Sequence, residues 1–167
     1  LLTANVRTDQ QEKVIGYEGI NVDLTQRKQM EKELRAAHDF MNKIIMSSPN
    51  AIMATDMKGN IIIWNTAAEE TIGYKAQEVV GKMNIEKIYP EGTAKEVMKR
   101  MRSPDYGSEG RLTSYPMMFV RQDGQIIEGN LSSAIISDPQ GGEIATVGIF
   151  VDLKERAEME RKLRDTQ

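Results

Sequence analysis

Cysteine is absent from this 167-residue chain, and histidine occurs once, at His38. Without thiols there are no disulfide staples, thiolate zinc sites, cysteine nucleophiles or cysteinyl flavin adducts. With one imidazole, chemistry that needs two is excluded. Long apolar runs are also missing: the longest span four or five residues. No segment therefore crosses a bilayer as a helix, and nothing resembles a cleaved signal peptide. The 22 Lys+Arg stand against 25 Asp+Glu, for a formal charge of −3. No block of five or six like charges appears, which argues against a nucleic-acid groove binder. The length suits one domain with its own core plus appendages. A cytoplasmic chain is the simplest reading. The opening Leu1-Leu2, lacking an initiator Met, suggests a piece of a longer protein.

What is there begins with a repeat. GINVDLTQRKQMEKELR from Gly19 aligns without gaps on GIFVDLKERAEMERKLR from Gly148, matching at ten of seventeen positions. The offset of about 129 residues is that of tandem domains joined by a helix and too long for a solenoid. Residues 1–24 then read as the terminal hairpin of an upstream unit, two strands around the polar turn Asp9-Gln10-Gln11-Glu12. Such a hairpin, lacking the strands it would pair with, leaves edges that invite another chain. Asp23 and Asp152 each precede a helix and supply the carboxylate that its first amides need.

Residues 25–47 form the first of these helices. Met30, Leu34, Ala37, Met41 and Ile44, followed by Ser48, recur at alternating spacings of four and three, a heptad seam flanked by mixed charge. A stripe this narrow favours a parallel dimer over packing on its own domain. The C-terminal helix repeats the start of the seam with Leu153, Met159, Leu163 and Thr166.

Between the helices, Ala51–Thr55 and Ile61–Asn65 read as strands around Asp56-Met57-Lys58-Gly59. Thr66-Ala67-Ala68-Glu69 reads as a capping box opening a short helix. Weaker helical turns follow at 76–80 and 84–88. Thr93–Arg102 is then a helix with Ala94, Val97, Met98 and Met101 on one face. Strands near 110–120, 125–136 and 143–151, joined by short turns, make an antiparallel meander. An α+β sheet with helices on one face follows.

In order along the chain stand Ser48-Pro49-Asn50-Ala51-Ile52, Thr55-Asp56-x-x-Gly59-x-Ile61-x-x-x-Asn65, Ala67-Ala68-Glu69, Ile72-Gly73-Tyr74 and Glu78-Val79-Val80-Gly81-Lys82. Arg121-Gln122-Asp123-Gly124 and Gly148-Ile149-x-x-Asp152-Leu153 complete the set. In this order the segments resemble a PAS domain, the sensory module of bacterial signalling proteins, over residues 48–153. Asp23-Leu24-Thr25-Gln26-Arg27-Lys28 similarly resembles the end of a preceding PAS unit. The resemblance implies a five-stranded antiparallel sheet in spatial order 2-1-5-4-3, helices cupping one face, and a ligand cavity between them. It also implies connector helices leading to an output domain, of kinase or cyclic-dinucleotide enzyme type. No phosphoacceptor His box, ATP lid or GGDEF-like run occurs here, so no enzyme activity and no catalytic residue is expected.

The resemblance also orders the cofactor question. A haem-binding PAS domain of the familiar type needs a histidine on the helix at 93–102, which has none. Met98 or Met101 can ligate haem iron in principle, but methionines at helical spacing more often fill a core. Light-sensing PAS domains use a reactive cysteine. A non-covalent flavin would find one indole, Trp64, which in a strand is more often a packing residue. PAS-like folds that bind carboxylates use cavity cations, for which only Arg111 is a candidate, at a position more readily solvated. His38 falls on a flank of the first helix. Met83, Met98, Met101, Met117 and Met118 fall where a cavity wall is expected. Such a wall either accepts a small hydrophobic or planar ligand non-covalently or closes on itself.

Strand alternation and helix phase give the candidate lining as Met53, Ile72, Ile85, Ile88, Val97, Met101, Met117, Phe119, Leu131 and Ile149. Asp152 and Leu153 form the expected signal junction into the exit segment, residues 154–167. The functional expectation is a sensory or relay module, homodimeric through its connector helices, with no metal, nucleic-acid or membrane contact. The alternative is a ligand-free homodimerisation and spacer domain in a signalling rod.

Overall fold

The computed structural model describes residues 2–21, 24–106 and 109–165. The chain divides into two compact units, residues 1–43 and 44–167. In the first, β1 (Leu2–Thr8) pairs antiparallel with β2 (Val14–Asn21) around the Asp9 turn. The Asp9 carboxylate accepts from Gln11 N and Lys13 N, which fixes the reversal. Val6, Ile15 and Tyr17 stay exposed. Helix α1 (Thr25–Ser47) follows and buries no residue. The helix cap expected of Asp23 and the seam position Thr166 lie outside the described residues.

The second unit is a five-stranded antiparallel sheet, β3 (Ala51–Asp56), β4 (Ile61–Trp64), β5 (Arg111–Val120), β6 (Ile126–Ser137) and β7 (Glu143–Asp152). The spatial order β4-β3-β7-β6-β5 is the 2-1-5-4-3 arrangement. The β3–β4 reversal turns on Gly59 at φ +83°, a conformation that disfavours side chains. The Asp56 carboxylate accepts from Lys58 N, Asn60 N and Asn60 Nδ2. Those Asn60 bonds hold its carboxyl below the usual range.

Between β4 and β5 run α2 (Thr66–Ile72), α3 (Ala76–Val79), a 3₁₀ turn at Ile85–Lys87 and α4 (Thr93–Met101). They cover one face of the sheet with Ala68, Ile72, Val79, Ile85, Ile88, Val97 and Met101. Phe119 meets Tyr89 edge-on at 5.0 Å and Phe150 at 4.2 Å between centroids, closing the centre of the core. Helix α5 (Leu153–Arg164) leaves β7 directly.

The capping box expected at Thr66 is corrected. Asn65 is the N-cap of α2 and accepts from Ala68 N. Glu69 reaches forward instead, accepting from Ala76 N at 2.7 Å and Lys75 Nζ at 3.1 Å. The Ala76 amide, and then Lys75, hold its carboxyl below the usual range. The preference of Asn for the cap position outweighs that of Thr one residue later.

Candidate functional site

Helix α4 does not lie flush on the sheet. A cavity of about 580 Å³ separates it from β3, β6 and β7, within the range of pockets that hold small ligands. Its wall is apolar, made of Met53 from β3, Ile85 from the 3₁₀ turn, and Val97, Met98 and Met101 from α4. Gly148 contributes bare backbone on the sheet side, where a side chain would press on Leu131. At the floor the hydroxyls of Thr55 and Thr146 meet at 2.9 Å, and Ser133 donates to Val147 O at 2.9 Å. Tyr89 lines the wall, and burial pushes its phenol well above the ordinary value. The rim carries Asp56, Lys58, Glu86, Lys95, Lys99 and Arg102.

The comparison of the sequence with family models bears on the same residues. The model of the PAS fold matches residues 39–153. The chain belongs to the PAS family. It is 29% identical over 157 residues to the sensor protein FixL of Bradyrhizobium diazoefficiens, covering 89% of this chain and 29% of FixL. Among solved structures, the PAS domain of a Colwellia psychrerythraea protein superposes with a TM-score of 0.61 at 21% identity, over 71% of this chain and 98% of that one. The PAS domain of Bordetella pertussis BvgS gives 0.56 at 25% identity, over 81% and 98%. The chain spans less than a third of the length of FixL. PAS domains are sensory and regulatory modules rather than catalysts.

Four of the ten candidate lining residues, Met53, Ile85, Val97 and Met101, face the PAS cavity. Ile72, Ile88, Met117, Phe119 and Leu131 are buried in the core but stand back from it. Near Phe119 the space is filled by the rings of Tyr89 and Phe150. Ile149 is a correction: it is 39% exposed, on the opposite face of β7 from its buried neighbours Gly148 and Phe150. The period-2 alternation of a strand decides this. Among the methionines expected at the wall, Met98 and Met101 line it, Met117 is core, Met83 packs against the core, and Met118 points to solvent.

Trp64 is buried, and its Nε1 donates to Tyr74 O at 3.0 Å, away from the cavity. Arg111 is exposed on β5 and also stands apart from it. No histidine lines the cavity; His38 is an exposed residue of α1. The residues present thus fit neither a histidine-ligated haem nor a cysteinyl flavin. Among the described residues no cluster of three or more His, Asp or Glu could hold a metal, and no helix is long and apolar enough to cross a membrane.

Sequence reasoning missed Thr55, Tyr89, Ser133 and Thr146 at the wall and Lys95, Lys99 and Arg102 at the rim. The lysines were findable: they sit at i and i+4, beside the apolar stripe of the same helix. At the exit, the Asp152 carboxylate accepts from Lys154 N at 2.8 Å and caps α5, while Leu153 is partly exposed. The seam residues Met30, Leu34, Met41 and Ile44 are all more than half exposed.

Proposed function

We propose that this PAS domain is a sensory module that binds a small, largely apolar ligand non-covalently between α4 and the sheet. The single observation behind this reading is the methionine-walled cavity of about 580 Å³. Unbranched thioethers adapt to a guest at little cost, which suits a sensor wall. Its floor is joined to the exit: Thr55 on β3 bonds Thr146 on β7, and β7 runs without interruption into the Asp152 cap of α5. A change in the cavity then alters β7, and the Asp152–Leu153 junction shifts the exit helix relative to an output domain of kinase or cyclic-dinucleotide type.

The chain functions in the cytoplasm, as a homodimer through the α1 seam and in tandem with an upstream PAS unit whose terminal hairpin is 1–24. The resemblance to FixL and BvgS, both named as sensors, supports the sensory reading. Native mass spectrometry and an absorption spectrum of freshly purified protein test it. A bound mass is expected. A clean ligand-free mass across preparations overturns ligand sensing and leaves the exposed α1 seam to support a ligand-free dimerisation and spacer domain.

A further inference from the structure

The distribution of polar groups around the cavity determines which end of a guest the protein holds. At the floor the threonine and serine hydroxyls are already committed. Thr55 and Thr146 bond each other, and Ser133 donates to a backbone carbonyl. A guest body at this depth meets chiefly methionine, isoleucine and valine, so it is apolar.

At the rim the balance is cationic, with Lys58, Lys95, Lys99 and Arg102 against Asp56 and Glu86. These groups are not equivalent. Arg102 is paired to Glu143 at 2.6 Å, and Arg100, the next cation along α4, to Glu96 at 2.6 Å. The Asp56 carboxylate is taken up by Asn60 and by the Lys58 amide. Lys95 and Lys99, by contrast, have no carboxylate partner among the described residues. They lie one turn apart on α4, immediately beside Val97, Met98 and Met101, which enter the cavity. Like charges at i and i+4 destabilise a helix slightly, and an anion placed between them reverses that sign. Tyr89 lines the same wall, and burial holds its phenol in the protonated form.

We infer that the cavity takes an amphipathic organic anion, its apolar body against the methionine wall and its carboxylate at the rim between Lys95 and Lys99. This rests on the ligand-binding reading above and specifies its chemistry. The polar head is held at the surface, where its desolvation cost is small, and the cations there select for charge rather than supply most of the affinity.

Calorimetric titration of the full chain with octanoate and with 1-octanol separates the cases. Wild type is compared with Lys95→Gln/Lys99→Gln and, as a control, Lys87→Gln, an exposed lysine outside the cavity lining. The expected result is that octanoate binds about tenfold more tightly than octanol and that added salt narrows the gap. The double variant then loses the preference while the control keeps it. Equal binding of the two probes, or a preference for octanoate that survives in the double variant, overturns the anion assignment and leaves the ligand-binding reading standing. Binding by neither probe, together with a ligand-free mass, overturns both.

Discussion

The side-chain oxygen of Asn65 accepts from the Ile52 amide at 2.8 Å, bridging the end of β4 to the first strand of the sheet. The same oxygen accepts from Ala68 N, and the side-chain nitrogen donates to Asn50 O at 2.9 Å and Ile45 O at 3.0 Å. One fully buried amide thus joins the last turn of α1, the start of β3 and the cap of α2, with both its donors and its acceptor used.

Removing this amide leaves two amides and two carbonyls short of partners. Asn65→Ala is expected to cost about 4 kcal/mol, since each unsatisfied buried group costs about 1–3 kcal/mol before relaxation and water entry. Asn65→Asp keeps the shape but turns a carboxylate toward two carbonyl oxygens. It is expected to be as damaging at neutral pH and to recover partly on acidification. Urea denaturation of both variants checks this, and a loss under about 1 kcal/mol in each would remove Asn65 from its structural role.

Gly129 marks a second constraint, of shape rather than polarity. A β-carbon built there collides with the Phe150 ring and the Val151 carbonyl on the neighbouring strand. Gly129→Ala is therefore expected to cost about 3 kcal/mol, the scale of an overpacked core, with the midpoint of denaturation falling accordingly. Wild-type stability in this variant would mean that β7 yields readily beside Asp152.

These two residues show where the sequence was legible. Asn65 stood inside the ordered string that suggested the family, but its four bonds depend on where Ile45 and Asn50 come to rest. The short turns and alternating strands were readable because they are local, and the sheet order came with the family resemblance. Helix phase put Val97 and Met101 on the buried face of α4, since that helix presents a clear apolar stripe, and both line the cavity. Strand parity failed at Ile149 because an apolar residue on the open face of a sheet looks like one in the core. The hydroxyl pair Thr55–Thr146 is separated by 91 residues, beyond what periodicity detects.

Tyr89 gives the fold a pH signature. Its phenol titrates above the ordinary 10.0 because burial disfavours the phenolate. Between that value and the folded one, the native state keeps a proton that the unfolded chain has lost, so stability falls as pH rises through the window. Below it the group contributes no slope. Melting temperatures from pH 8 to pH 11, compared with Tyr89→Phe, should show the two curves parallel at the lower end and a steeper alkaline fall in wild type. Identical slopes would place the phenol in water.

The α1 seam makes the last prediction. Leu34 is 73% and Met41 62% exposed, and α1 buries no residue, so neither side chain supports the fold of this chain alone. If the heptad pattern is used, it is used between chains, where Leu34 and Met41 would pack as knobs in facing holes. Leu34→Asp and Met41→Asp would each then bury a carboxylate at the seam and drive the chain to monomer, with no change in its urea midpoint at dilution. Sedimentation velocity across a concentration series reads the first effect, and circular dichroism in urea the second. An oligomeric state unchanged in both variants would eliminate the helical dimer through the α1 seam.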